Sequence, residues 1–175
     1  SISLNEFSMR NYFLGLCLLF ALCFTACSHS DDSVDVLIIG GGASGVTAGI
    51  QSARMGAATL IVEETEWLGG MLTSAGVSAV DGNYDLPAGL FGEFREHLAD
   101  YYGGLDSLKT GWVSAVLFEP SVGNKIFHEM VDAEKNLKVW HNATLVKLER
   151  EKDVWIAQIQ MKDNTIKKIH AKILI

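Results

Sequence analysis

The spacing of apolar positions changes along the chain, and each change marks an element. Val36 to Ile39 is a short continuous apolar run that stops at a cluster of glycines, the pattern of a buried strand. Val46 to Met55 then reads as a helix, with Gly49 as a small residue facing the sheet and Gly56 fitting the C-cap. Ala58 to Val62 is a second continuous apolar run. Ala75 to Gly92 is rich in glycine and small residues, with a turn at Asp81–Gly82–Asn83. Phe91 to Tyr102 predicts a helix with Phe94 and Leu98 one turn apart, ended by Gly103–Gly104. Glu119–Pro120 marks another helix start, because proline suits the first turn. Val122, Ile126 and Met130 line one face of that helix to about Glu134. From Leu137 the pattern becomes strand-like. Leu137–Trp140, Thr144–Glu149, Val154–Met161 and Thr165–Leu174 are predicted strands, with turns at Lys152–Asp153 and Asp163–Asn164. The last apolar stretch, Ile169 to Ile175, has no later strand to cover it here and is expected on an open edge.

The first strand runs into Gly40, Gly42 and Gly45, spaced G-x-G-x-x-G. A strand, a glycine turn and a helix in this order aim the unpaired N–H groups of the helix N-terminus at a phosphate. Gly40 permits the tight turn, Gly42 lets a pyrophosphate approach the backbone, and Gly45 lets helix and strand pack closely. Glu63 ends the second strand. An acid there accepts hydrogen bonds from a ribose hydroxyl and repels a 2′-phosphate. The whole is a β-α-β unit of the α/β class that binds dinucleotides.

The segment after Glu63 narrows the choice of dinucleotide. Trp67–Leu68–Gly69–Gly70–Met71–Leu72–Thr73–Ser74–Ala75–Gly76 follows the acid closely. Here the chain resembles the FAD-dependent oxidoreductases of the glutathione-reductase-like type, which bind two dinucleotides. More narrowly it resembles the family that includes heterodisulfide-reductase-A-like proteins and secreted bacterial members, over Asp35 to Ile175. The physical reading agrees. FAD is longer than its ADP half, and Gly69 and Gly70 offer bare backbone N–H groups beside which the extra length can lie.

The resemblance implies a Rossmann-like FAD-binding β-α-β fold with an inserted β-meander. It implies cofactor contacts from Gly40, Gly41, Gly42, Ala43, Ser44 and Gly45 in the turn. Glu63 and Glu64 follow at the end of the second strand, then Gly69, Gly70 and Met71. In the meander, Leu145 takes the position whose backbone binds adenine. The implied function is FAD-dependent oxidation or reduction of a small-molecule substrate, with hydride or electrons passing through the flavin. No residue here is assigned a catalytic role. The resembled family continues into a Gly-Asp flavin turn and a substrate domain, so 34–175 is expected to be the N-terminal part of an FAD-binding domain, incomplete at its C-terminus. Two other readings stay open. One is another nicotinamide-binding enzyme on the same fold, and the other is a non-catalytic or truncated surface lipoprotein.

Residues 1–33 carry a different signal. Met9–Arg10 precede an apolar run from Tyr12 to Phe24, which is short for a membrane span of about 20 residues. A charged start, an apolar core and small residues before a cut describe a secretory signal beginning at Met9, with residues 1–8 upstream of it. Phe24–Thr25–Ala26–Cys27 resembles a bacterial lipobox, with Phe24 in place of the usual leucine and Cys27 as the lipidated residue. Ser28 to Ser33 is a polar tether. The expectation is an exported lipoprotein of the cell envelope, held to the outer membrane by its lipid.

Cysteine usage and charge refine this picture. All three cysteines (Cys17, Cys23 and Cys27) lie in the signal segment, so the body offers no cysteine metal site. Some members of the resembled family bind a 4Fe–4S cluster, and nothing here carries that over. A net charge of −7 argues against nucleic acid as a partner. Tyr101, Tyr102 and Trp112 are read as a packed surface loop. His97, His128 and His141 are read as surface or packing residues, since no nucleophile or metal partner stands at a telling spacing.

Overall fold

The computed structural model describes residues 32–82, 86, 88–112 and 114–175. Residues 1–31, with Cys27 and the expected signal segment, lie outside the described residues, as does Asn83 of the predicted turn; Asp32 and Ser33, expected in the polar tether, open β1. Among the described residues no helix is long and apolar enough to cross a membrane.

In strand β1 (Asp32–Ile39) the half from Val36 on is apolar on both faces because both faces are covered there. Val36, Leu37 and Ile38 are all buried. β1 leads through helix α1 (Ala43–Arg54) to β2 (Thr59–Val62). Helices α2 (Gly89–Tyr102) and α3 (Pro120–Asp132) then lead to β3 (Leu137–Trp140). The parallel strands need such crossovers. The remaining strands, β4 (Thr144–Glu151), β5 (Val154–Gln160) and β6 (Ile166–Leu174), form an antiparallel meander. Together they make one sheet in the order β3-β2-β1-β6-β5-β4. β3, β2, β1 and β6 run parallel, and β5 and β4 alternate beyond them. This is the Rossmann-like unit with an inserted meander.

Two apolar clusters cover the two faces. On one, Val36, Ile38 and Ile61 meet Val46 and Ile50 of α1 and Phe127 of α3. On the other, Leu37, Leu60 and Val62 meet Ala157, Ile159 and Ile169 of the meander. The one-residue alternation along β1 therefore sends Ile38 to the helices and Leu37 to the meander.

The structure corrects the expectation for the last strand. β6 is not on an edge. It lies between β1 and β5, with Leu37 opposite Leu174 on one side and Ala157 opposite Ile169 on the other. The edges are β3 and β4. What β6 leaves open is part of a face: Ile173, opposite Val36, is 54% exposed. Order along the chain does not set order in the sheet. A meander returning toward β1 inserts its final strand inside.

Several boundaries also move. α1 begins at Ala43, three residues before the apolar spacing becomes visible, because its first turn is built of small residues. α2 begins at Gly89 and α3 ends at Asp132. Glu119 is the N-cap of α3 in extended conformation, with Pro120 in the first turn. Lys152 and Asn164 take positive φ (53° and 65°) at the two meander turns.

Candidate cofactor site

The site forms where β1 stops, at the point where the chain order of parallel strands reverses, with β2 on one side and β6 on the other. Ligands of open α/β sheets bind at such a switch point. Gly40 has φ +104°, a left-handed conformation that disfavours other residues, and its N–H donates to the Val62 carbonyl at 2.8 Å. The turn thus hooks over the end of β2. Gly41 is buried, and its N–H donates to Oε2 of Glu63 at 2.6 Å. The other oxygen, Oε1, accepts from the Thr65 N–H at 2.9 Å and from its hydroxyl at 2.7 Å. The acid predicted to meet a ribose is therefore also the brace of the glycine turn. A carboxylate has about four acceptor positions, so three such bonds leave capacity for a hydroxyl donor.

Gly42 is the N-cap of α1 and supplies no side-chain cap to the N–H groups of the first turn. A Cβ added to Gly42 would meet nothing within 4 Å. The approach to the helix N-terminus is open. A Cβ on Gly45 would lie 2.0 Å from the Gly40 carbonyl oxygen, so that glycine serves packing. Ala43 is half-buried and Ser44 exposed in the same first turn.

The Gly69–Gly70 pair comes back to this turn. Gly42 and Gly69 form an isolated parallel bridge, and the Gly69 N–H donates to the Gly41 carbonyl at 2.8 Å. A Cβ on Gly70 would stand 3.0 Å from the Gly42 Cα. Both glycines have positive φ, 102° and 52°. Met71 follows in a short 3-10 turn, with its side chain 68% exposed.

Beyond the turn, a cavity of about 300 Å³ brings Gly40, Glu63, Glu64, Thr65 and Leu145 together. Ala143 closes its meander side, and its N–H donates to the Glu63 carbonyl at 3.0 Å. Leu145 arrives there because the residues just before β4 are tied to the segment after β2, Ala143 N–H to the Glu63 carbonyl and Asn142 N–H to the Thr65 carbonyl, and the register of β4 is irregular between Leu145 and Lys147. The sequence-predicted residues therefore converge in two adjoining places. Gly40, Glu63, Glu64 and Leu145 surround the cavity. Gly42, Ala43, Ser44, Gly45, Gly69 and Gly70 gather at the helix start.

Some contributors were not foreseen. Asn124 of α3 accepts the Leu68 N–H through Oδ1 at 2.8 Å, and the buried Thr73 hydroxyl donates to the Leu68 carbonyl at 2.6 Å. His128 and His141 also meet, with ring centroids 5.1 Å apart. Their ring nitrogens lie 3.3 Å from the Glu66 carbonyl and 3.2 Å from the Thr65 carbonyl, which pins the loop after Glu63. The Glu66 carboxyl is held below its ordinary range by hydrogen bonds from Lys162 and Asn142. Among the described residues no group of three or more His, Cys, Asp or Glu is placed to hold a metal.

Open helix N–H groups, an acid beside a cavity, and two glycines with bare backbone are a donor set suited to a dinucleotide. Fold and site thus define a dinucleotide-binding α/β protein. Residues 35–175 match the profile of the family described as FAD dependent oxidoreductase, and the chain belongs to that family. None of the curated proteins compared matches the chain.

Similar folds occur in solved structures of low identity. The p-nitrophenol 4-monooxygenase of Pseudomonas putida DLL-E4 is 14% identical with a TM-score of 0.59, over 82% of this chain and 40% of its own. A myxobacterial chondrochloren halogenase, described as FAD-dependent, is 11% identical with a TM-score of 0.59, over 82% and 36%. The bacillithiol disulfide reductase of Bacillus cereus is 15% identical with a TM-score of 0.54, over 82% and 39%. At these identities the likeness is one of fold. The chain spans two fifths or less of the length of these three proteins.

Proposed function

We propose that the chain holds FAD in an extended conformation across the glycine turn, as the nucleotide-binding part of an oxidoreductase of small molecules. The observation that carries this reading is the open direction at Gly42, the one turn glycine facing both the uncapped helix start and the Gly69–Gly70 pair. In this assignment the N–H groups of Ala43 and Ser44 face the pyrophosphate. Glu63 accepts the ribose hydroxyls, and its charge disfavours a 2′-phosphate. Leu145 offers backbone to adenine, and Gly69, Gly70 and Met71 flank the path toward the ribityl chain. The bound flavin supplies the redox chemistry, accepting a hydride or electrons from the substrate. The parallel order with its meander supports the narrower likeness to glutathione-reductase-like and heterodisulfide-reductase-A-like proteins.

The test is direct. Protein purified without its signal segment should be yellow and release FAD on denaturation. A colourless protein that binds NAD but not FAD would sink the reading. We further propose that the protein is exported and anchored at the outer membrane through Cys27, on the strength of the signal segment and the Ala26–Cys27–Ser28 junction.

A further inference from the structure

The Gly69–Gly70 pair has a difficulty of its own. Two adjacent glycines are the most mobile backbone a chain can offer, and both here hold positive φ. A ligand that had to freeze them on arrival would lose affinity to that ordering. Something must hold the pair beforehand, and one of the residues that do so comes from a helix outside the nucleotide turn.

We infer that Asn124 is a positioning residue for cofactor binding, fixing the peptide that leads into the Gly69–Gly70 pair. This rests on the FAD reading above. The geometry is specific. Leu68 is fully buried, and its N–H donates to Asn124 Oδ1 at 2.8 Å while its carbonyl accepts the Thr73 hydroxyl at 2.6 Å. The next N–H, of Gly69, donates to Gly41 at 2.8 Å. Three consecutive polar groups are thus tied to α3, to the far side of the loop, and to the nucleotide turn.

α3 can reach the loop because of its neighbouring residues. A Cβ on Gly123 would lie 2.6 Å from the Phe118 ring and 3.2 Å from Thr73 Cγ2. A Cβ on Gly69 would lie 2.6 Å from the Phe127 ring. The face of α3 bearing Gly123, Asn124 and Phe127 is therefore fitted against the loop at both ends. Phe127 is locked in turn by stacking on Phe94, with centroids 4.4 Å apart.

Asn124 acts through Leu68 and Gly69, so the test must separate positioning from general stability. Two measurements on the whole protein do so. In the first, FAD titration compares Asn124→Leu, which keeps side-chain size but removes the acceptor, with Arg54→Ala. Arg54 joins α1 to α2 through Glu93 and to the turn after α3 through Glu134, away from the loop. Asn124→Leu should weaken FAD about tenfold, the effect of one lost hydrogen bond. Arg54→Ala should lower the melting temperature and leave FAD affinity unchanged. In the second, hydrogen exchange is followed at the Leu68 and Gly69 amides without cofactor. Asn124→Leu should expose them, and Asn124→Asp, which keeps an acceptor oxygen, should restore protection. Unchanged exchange in Asn124→Leu overturns the proposal, and so does an FAD affinity that falls equally in Arg54→Ala. A wild-type protein that ignores FAD would defeat the cofactor reading, while the exchange experiment still decides whether Asn124 orders the pair.

Discussion

Gly45 stands so close to Gly40 that a Cβ on it would sit 2.0 Å from the Gly40 carbonyl oxygen, whereas a Cβ on Gly42, between them in the turn, would touch nothing. Two glycines of one motif therefore have separable duties. Gly45 is required by the fold, and Gly42 by whatever approaches the helix.

Substitution should split these duties. Gly45→Ala forces α1 off β1 and should destabilise by about 3 kcal/mol or more, the upper range for overpacking. Gly42→Val should leave helix content and melting temperature close to wild type while flavin occupancy collapses. Circular dichroism and flavin absorbance on the two variants check this. Full occupancy in Gly42→Val would show that the turn does not cradle the cofactor.

Glu63 joins the two halves of the site, since its carboxylate holds Gly41 and Thr65 at once. Glu63→Gln keeps an oxygen acceptor and should weaken FAD about tenfold. Glu63→Ala removes the brace as well and should both weaken FAD further and lower stability by about 1–3 kcal/mol, because the buried Gly41 N–H loses its partner. Isothermal titration together with urea unfolding distinguishes the two effects. Equal stability of the two variants would mean that the brace contributes nothing.

Arg54 holds Glu93 through its two terminal guanidinium nitrogens, each at 2.8 Å, and Glu134 through Nε at 2.7 Å. Arg54 and Glu93 are each more than one-third exposed and only Glu134 is largely covered, so Arg54→Ala should cost only about 1 kcal/mol. The hydrogen bond from Arg54 holds the Glu93 carboxyl below its ordinary range. A carboxylate with a depressed folded-state pKa stabilises the fold above its unfolded value, and that contribution is lost as pH falls through the folded one. Wild type and Arg54→Ala should therefore differ most at neutral pH and converge in acid. Urea unfolding at several pH values measures this, and a gap that widens in acid would contradict it.

Cys27→Ala should abolish incorporation of a fatty-acid probe and release the protein from the membrane fraction. Stable attachment requires more than one acyl chain, since one chain binds only marginally. Unchanged labelling of the variant would place the anchor elsewhere.

Much of the fold was legible because burial on both faces leaves continuous apolar runs. β3 is bounded as its alternation predicts, and β2 falls within one residue. The glycine turn was legible because each glycine answers a local demand. Two things were not. The place of β6 depends on which strand returns to β1, a long-range pairing that leaves no local mark. Asn124 reaches Leu68 across packed elements, so periodicity showed only the Val122, Ile126 and Met130 side of α3. A signal was present all the same: Gly123 interrupts an otherwise helical pattern, and an isolated helical glycine often marks a close approach.

The location of β6 also has a meaning in time. β1 is made early, yet its register sets Asp32 against Ile169 and Leu37 against Leu174. As the chain emerges from the ribosome, one side of β1 stays without its partner until nearly all of 32–175 has been synthesised. Pairings this remote in sequence form slowly, and the unfilled edge is open to wrong partners meanwhile. The nucleotide turn hangs from the end of that same strand, so its final shape waits for β6 to arrive. Under the export proposed above this delay is useful: the sheet that would resist threading through a membrane channel closes only once β6 has been made.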